Sequence, residues 1–250
     1  MTERQDSGVA SFKPYLPLNV LKPFAAGVWI VDGPEIGMRY GPFTLPFPTR
    51  MVVVRLGSGE LWIHSPIAPD PALSSAIDAI GRVGHLIAPN SIHYWHMADW
   101  LDRYPEAISY AVPDLRRGTK RPFRIDHSLE PDGSYPWSAE VDCVVVPGTA
   151  VTEAVFHVRG ASTVILADLI ENFEPARING WVHRLLVKLG GADGGTPYDL
   201  RMTFRPRGRK VAIRMRQILA WRPEKVVMAH GRPYASGGAE ELERALRWAV

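Results

Sequence analysis

Three apolar runs, each closing on a polar residue, organise this chain. Residues 86–88 run into Pro89-Asn90-Ser91-Ile92-His93, residues 163–167 end on Asp168, and residues 226–229 end on His230-Gly231. Strands buried on both faces read as unbroken apolar runs, and ligand sites gather where such strands stop. The pattern therefore predicts that His93, Asp168 and His230 converge. Around these runs, residues 51–56 and 60–64 are β-type segments joined by Gly57-Ser58-Gly59, a hairpin signature. Leu73, Ala76, Ile77 and Ile80 keep helical spacing before Gly81, and residues 97–104 form a short helical stretch stopped by Pro105. With a strand at 108–112, this half alternates β-α-β-α-β. Residues 28–31 read as a strand and the Gly/Pro-bearing segment 33–48 as a loop.

A polar connection, 113–138, leads to a second half. Strands are predicted at 141–146, 154–158 and 163–167, then a helix at 178–189 and a Gly-rich loop at 190–197. Val211, Ala212, Met215, Ile218 and Leu219 make one apolar helix face, and a last strand, 226–229, precedes a last helix bearing Leu242, Ala245, Leu246 and Ala249. Residues 1–12 are polar and aperiodic, as in a loose tail, which leaves 13–250 as a single domain. The expected class is α/β (α+β): two sheets packed face to face with helices outside.

Composition narrows the function classes. A chain of 250 residues, 46% apolar, can bury a substantial core. The net charge of +3 is mild, although Arg201, Arg205, Arg207, Arg209, Lys210, Arg214 and Arg216 cluster. Such a cluster attracts an anionic substrate or nucleic acid, or is a solvated helix face, the commoner case. The lone Cys143 lies in an apolar run, so no internal disulfide forms and an inert, buried thiol is expected. No run approaches the roughly 18–20 apolar residues of a membrane span, and Met1-Thr2-Glu3-Arg4-Gln5-Asp6 has none of the apolar region of a secretory signal. A soluble, cytoplasmic protein without membrane association is expected. The loop 190–197 lacks the Gly-Lys-Ser/Thr ending of a phosphate loop, and no Gly-x-Ser-x-Gly elbow is present.

Each candidate side chain has a functional and a structural reading. His93 is either a ligand or a cap of the turn after Pro89-Asn90. Asp168 ends an apolar strand, where a lone carboxylate is costly, so a cation, an arginine or backbone amides must face it. His230, before Gly231, sits where a functional turn would place it. His64, with Ser65 as a partner, and His157, beside Phe156, are each an extra ligand, a support for one, or a satisfied core residue. Glu153 and Glu171 are general bases or capping groups. Trp95, Trp100 and Trp137 line an apolar pocket or fill the core.

Taken in order, Arg50-Met51, Leu61-Trp62-Ile63-His64-Ser65-Pro66, Ala88-Pro89-Asn90 with His93 and Trp100, Glu153 to His157, Asp168-Leu169-Ile170-Glu171-Asn172-Phe173, and Ala229-His230-Gly231 are diagnostic. With them the chain resembles the metallo-β-lactamase-like superfamily, in a branch labelled a domain of unknown function. The resemblance implies a four-layer αββα sandwich. It also exposes a departure. The superfamily's His-x-His-x-Asp-His turn is degenerate here: Pro89 and Ser91, or in the neighbouring register Asn90 and Ile92, replace the paired histidines, and Thr149 stands for a further one. Asp168 and His230 are kept.

The histidine-rich first metal site is thus expected to be lost, leaving His93, Asp168 and His230 around at most one zinc or iron ion. The corresponding function is a metal-dependent, hydrolase-like protein in which Asp168 and His230 serve water activation on a small-molecule substrate. The alternative is a catalytically silent protein, without metal, that binds a small anion or a protein partner. Nucleic acid is an unlikely partner, because nucleases of this superfamily use the full histidine set. The sequence specifies neither the substrate nor the oligomeric state.

Overall fold

The computed structural model describes residues 11–40 and 43–250. Seven strands form the larger sheet in chain order: β1 (Lys22–Ala25), β2 (Val28–Tyr40), β3 (Phe43–Arg55), β4 (Glu60–His64), β5 (Arg82–Ala88), β6 (Ile108–Ala111) and β7 (His127–Ser128). β1 to β4 pair antiparallel and β4 to β7 parallel. The parallel steps need crossovers. Helix α1 (Pro71–Ile80) provides the first and α2 (Met97–Arg103) the second. Asp70 caps α1 by accepting from the Leu73 amide, and Gly81 closes it through a bond to the Ile77 carbonyl.

A second sheet joins β8 (Val141–Val146), β9 (Glu153–Val158), β10 (Thr163–Ile165) and β13 (Lys225–Val227) in the order β13-β10-β9-β8. Between them in sequence lie a two-stranded ribbon, β11 (Glu171–Asn172) with β12 (Asp193–Gly195), and helices α3 (Trp181–Leu189), α4 (Tyr198–Phe204) and α5 (Gly208–Ala220). Helix α6 (Gly238–Leu246) follows β13.

Side-chain alternation along the second sheet sets the layers. Val145, Phe156, Ile165 and Val227 face a core shared with the larger sheet and with Leu73, Ile77, Met97 and Trp100 of α1 and α2. Their neighbours Val144, Val146, Val155, Val164 and Val226 face Phe204, Val211, Met215, Ile218 and Leu242 of the later helices. Successive strand residues point to opposite faces, so a strand apolar at every position must be covered twice. The result is the helix–sheet–sheet–helix sandwich expected from the sequence. Five of the clustered basic residues, Arg205, Arg207, Arg209, Lys210 and Arg216, are exposed on or just before α5, the solvated face of that helix. Among the described residues no helix is long and apolar enough to cross a membrane.

One expectation is corrected. Within the segment read as a loop, 33–48, residues 33–40 and 43–48 are not loop: they continue β2 and β3 as a long arm, paired Gly33 with Thr49, Ile36 with Phe47 and Gly37 with Pro46, while residues 41 and 42 lie outside the described ones. β4 pairs with β3 only at residues 52–55, so Pro46 and Pro48 sit where β3 has a free edge and no ladder bond is lost. The register shift between Gly33 and Ile36 absorbs Pro34. The predicted tail, 1–12, falls mostly on residues 1–10, outside the described ones, but its end is anchored. Phe12 is buried against Phe47, Phe173 and Ile178, and its amide donates to Glu35 at 2.6 Å.

Candidate metal centre

Strand register explains why the three predicted side chains meet. β10 and β13 are parallel neighbours with Ile165 opposite Val227, so Asp168 and His230 each stand three residues beyond a matched pair. Backbone bonds from Leu166 to Val227 and from Ala229 to Ala167 continue the pairing to the site. β5 belongs to the other sheet, and the Ala154 amide, donating to the Pro89 carbonyl at 2.8 Å, ties its end to β9. The turn after Pro89 then carries His93 across.

At the centre, Nε2 of His93 lies 2.9 Å from Oδ1 of Asp168, Nε2 of His230 lies 3.2 Å from the same oxygen, and the two nitrogens are 3.2 Å apart. Nδ1 of His230 donates to the Pro48 carbonyl at 2.6 Å, and a carbonyl can only accept, so this nitrogen carries the proton. Nδ1 of His93 is 2.7 Å from Oγ of Ser65. With both outer nitrogens engaged, two imidazole Nε2 atoms and a carboxylate oxygen point at one another. Three acceptor atoms so close need a positive centre among them, either a proton or a metal ion.

A support network holds this triangle. Asn90 is fully buried; its Oδ1 accepts from the Ile92 and His93 amides at 2.8 Å each, and its Nδ2 donates to Oδ2 of Asp168 at 2.8 Å. The first pair of bonds shapes the turn that presents His93, and the third orients Asp168. Glu153, also fully buried, accepts from the amides of Ala167, Asp168 and Leu169 and so caps the end of β10. Arg50, buried, pairs with Asp32 and donates through Nη1 to the Met228 and Gly231 carbonyls at 2.8 and 2.7 Å, pinning the loop that bears His230. Gly231 has φ +95°, and a Cβ there would lie 2.0 Å from the Asn172 carbonyl oxygen, so only glycine fits.

The electrostatics follow from burial and these partners. Burial opposes ionisation of Asp168, yet the charges and hydrogen bonds of His93 and His230 outweigh it and hold the carboxyl well below the usual carboxylate range. Burial lowers His93, but the charge and hydrogen bond of Asp168, with Glu153 behind, leave its basicity raised. Glu153 is pushed up to about 7 by burial and then by the Asp168 charge, against the pull of its three amides.

The other candidates divide. His64 is buried with Nε2 unpartnered, its ring stacked on Trp62, and burial, aided by His93, pushes it down to about 3. It stands outside the three-donor triangle. His157 lies away from the triangle: its ring stacks on Trp221 and its Nδ1 faces Asp142, on the far side of the second sheet. Thr149, which the resemblance sets in place of a histidine, bonds to the Thr203 carbonyl. Trp95 lines the cleft, whereas Trp100 and Trp137 fill the core. Burial pushes the Cys143 thiol up, away from thiolate chemistry.

Sequence reasoning missed the part played by Ser65, which it paired with His64. No residue motif marks Ser65; only its positive φ of 52° at the end of β4, a strained conformation common at functional sites, singles it out. Ser65, His93 and His230 open onto a cleft of about 110 Å³ walled by Pro34, Ile36 and Met38 of the arm and by Ile67, Ile92 and Trp95. The segment read as a loop thus builds one side of the site.

Residues 28–179 match the family model described as Domain of unknown function (DUF4336). Among curated protein sequences none matches. Solved structures that are similar include DIM-1 metallo-β-lactamase exposed to ceftazidime, at 11% identity and TM-score 0.61, covering 94% of this chain and 100% of that one. The FIM-1 metallo-β-lactamase from Pseudomonas aeruginosa in its mono-zinc form is 14% identical, with TM-score 0.55 over 90% of this chain and 95% of that one. A metal-soaked flavodiiron core from Synechocystis sp. is 11% identical, with TM-score 0.59 over 90% of this chain and 59% of that one. At such identities the likeness is one of fold, and the family assignment rests on the sequence match. The chain therefore belongs to the DUF4336 family and carries the metallo-β-lactamase fold.

Proposed function

We propose that this protein is a mononuclear metal-dependent hydrolase, with His93, Asp168 and His230 holding one zinc or iron ion. The observation that carries the reading is the donor triangle. A tetrahedral ion bound at about 2.0–2.1 Å sets its ligand atoms about 3.3 Å apart, and the three donor atoms here are already 2.9, 3.2 and 3.2 Å apart. Two imidazoles and a carboxylate around an open position suit either metal. When bound, such an ion polarises a substrate oxygen or acidifies a water. The chain supplies the rest. Ser65 and the Pro48 carbonyl fix the imidazole orientations, Asn90 aims Asp168, and the arm shields the centre. Among the described residues no lysine or arginine lines the cleft, which favours an uncharged ester or amide over a phosphoester.

The test is the metal content of protein purified without chelator or metal-binding tag, beside Asp168→Ala. About one zinc or iron per chain, lost in the variant while its circular dichroism is kept, is the expected result. Metal-free wild-type protein refutes the reading.

One observation favours a second reading in that event. Ser65 Oγ, His93 and Asp168 are in line at 2.7 and 2.9 Å, a serine–histidine–aspartate array opening onto the cleft. Oγ would bond to the acyl carbon as its proton passes to Nδ1 of His93, which returns it to the departing alcohol as the ester C–O bond breaks; a water giving its proton to His93 would then release the acyl group as acid and restore the hydroxyl of Ser65. Ester hydrolysis by metal-free protein that is abolished in Ser65→Ala would support it. Inactivity of both forms leaves the silent, ligand-binding relative.

A further inference from the structure

Behind the metal centre lies a second cavity of about 340 Å³, in the size range of small-ligand sites. Leu45, Phe47 and Phe173 form one wall, and Leu186 and Val187 of α3 the other. Phe47 and Phe173 also pack on the ring of His230, at 4.9 and 6.3 Å between centroids, so this wall separates the two spaces. Glu171, on β11, opens into the cavity. It is 6% exposed, yet among the described residues its carboxyl makes no hydrogen bond or ion pair.

A buried carboxyl without a partner is rare, and it marks a place where something else supplies one. The chemistry of the walls says what. Among the described lining residues none is basic, and the only other charged one is Asp199, exposed at the rim. An anion would meet two carboxyls and no cation. A purely apolar molecule would leave Glu171 unpaired. We infer that this cavity binds a small organic cation with an apolar body, of the primary alkylammonium type, whose ammonium pairs with the Glu171 carboxylate while its chain lies against Phe47, Phe173 and Val187. Asp199 adds attraction at the mouth. The inference does not depend on the metal centre, since none of the three donor residues lines this cavity.

The test is calorimetric titration of the full-length protein with n-octylamine hydrochloride, 1-octanol and sodium octanoate at neutral pH. The amine is expected to bind at least tenfold more tightly than the alcohol, and the carboxylate more weakly than either. Glu171→Gln should bring the amine to within about threefold of the alcohol, and Val187→Phe, which fills the cavity, should weaken the amine at least tenfold. Asp199→Asn, on the exposed rim, should weaken it by about threefold and guards against misfolding of the buried variants. Equal affinity for the three probes, no binding of the amine, or amine affinity unchanged in Glu171→Gln or Val187→Phe overturns the inference. Metal retention, measured in the same samples, reads the other site separately.

Discussion

Replacing Asn90 tests whether the donor triangle is built by its surroundings. In Asn90→Ala the Ile92 and His93 amides lose their acceptor and Oδ2 of Asp168 loses a donor 2.8 Å away, all in a place the solvent does not reach. A hydrogen bond to an ionised group contributes about 1.5–3 kcal/mol and each neutral one about 1, so the expected destabilisation is about 3–5 kcal/mol. Asn90→Asp refines the test. Its shape keeps the acceptor for the two amides, but it turns the donor facing Asp168 and Glu153 into a third carboxyl oxygen. If the turn alone mattered, this variant would behave as wild type; if the donor matters, it should lose a comparable amount and retain less metal. Urea unfolding followed by tryptophan fluorescence gives the stability change as a shift in midpoint at constant slope. Both variants within about 0.5 kcal/mol of wild type, with metal content unchanged, would refute the reasoning.

Gly231→Ala should be destabilised by more than about 3 kcal/mol, since it combines a left-handed φ with a Cβ 2.0 Å from the Asn172 carbonyl oxygen; a thermal melt close to wild type would count against it. Arg50→Met leaves Asp32 with Lys22 as its one remaining cation and strands two carbonyls, and breaking a buried pair costs about 3–5 kcal/mol, a fall in Tm on the order of 10 °C that differential scanning calorimetry would register. Glu171→Gln should gain stability over wild type as pH rises. Burial, and then the charges of Asp168, Asp199 and Glu153, raise this carboxyl well above its ordinary 4.5. In the ligand-free protein the native state therefore holds a proton the unfolded chain has released, one that a bound ammonium would displace, and wild-type stability falls by up to about 1.4 kcal/mol per pH unit from about 4.5 up to the native value. Parallel unfolding curves for the two proteins between pH 5 and about 8 would contradict this. Ser65→Ala should lower metal affinity by roughly 10-fold, the usual effect of losing a group that orients a ligand, and retention unchanged under competition with a chelator would remove Ser65 from the site.

Much of this protein is legible in one dimension because burial is periodic. Unbroken apolar runs at residues 86–88, 164–167 and 226–229 mark strands covered on both faces, and Leu73, Ile77, Val211, Met215 and Ile218 mark the helix stripes that cover them. The polar residue ending each run marks where the sheet opens, so His93, Asp168 and His230 are visible as a set before any contact is known. The arm at 33–48 was not legible, since its glycines and prolines carry the signal of a turn; a free strand edge, a tertiary fact, is what lets prolines sit there. Ser65 and the Pro48 carbonyl belong to no motif, because they act through position on other strands. Glu171 reads as one more acid beside Asp168, and only the packing of β11 against α3 and β3 turns it into an unpaired carboxyl in an apolar space. Strand, helix and layer follow from the free energy of hiding apolar surface, which sequence spacing reports directly. Which nitrogen meets which oxygen depends on register between segments up to 182 residues apart, as between Pro48 and His230. Local sequence carries no record of that register; the folded sheets alone decide it.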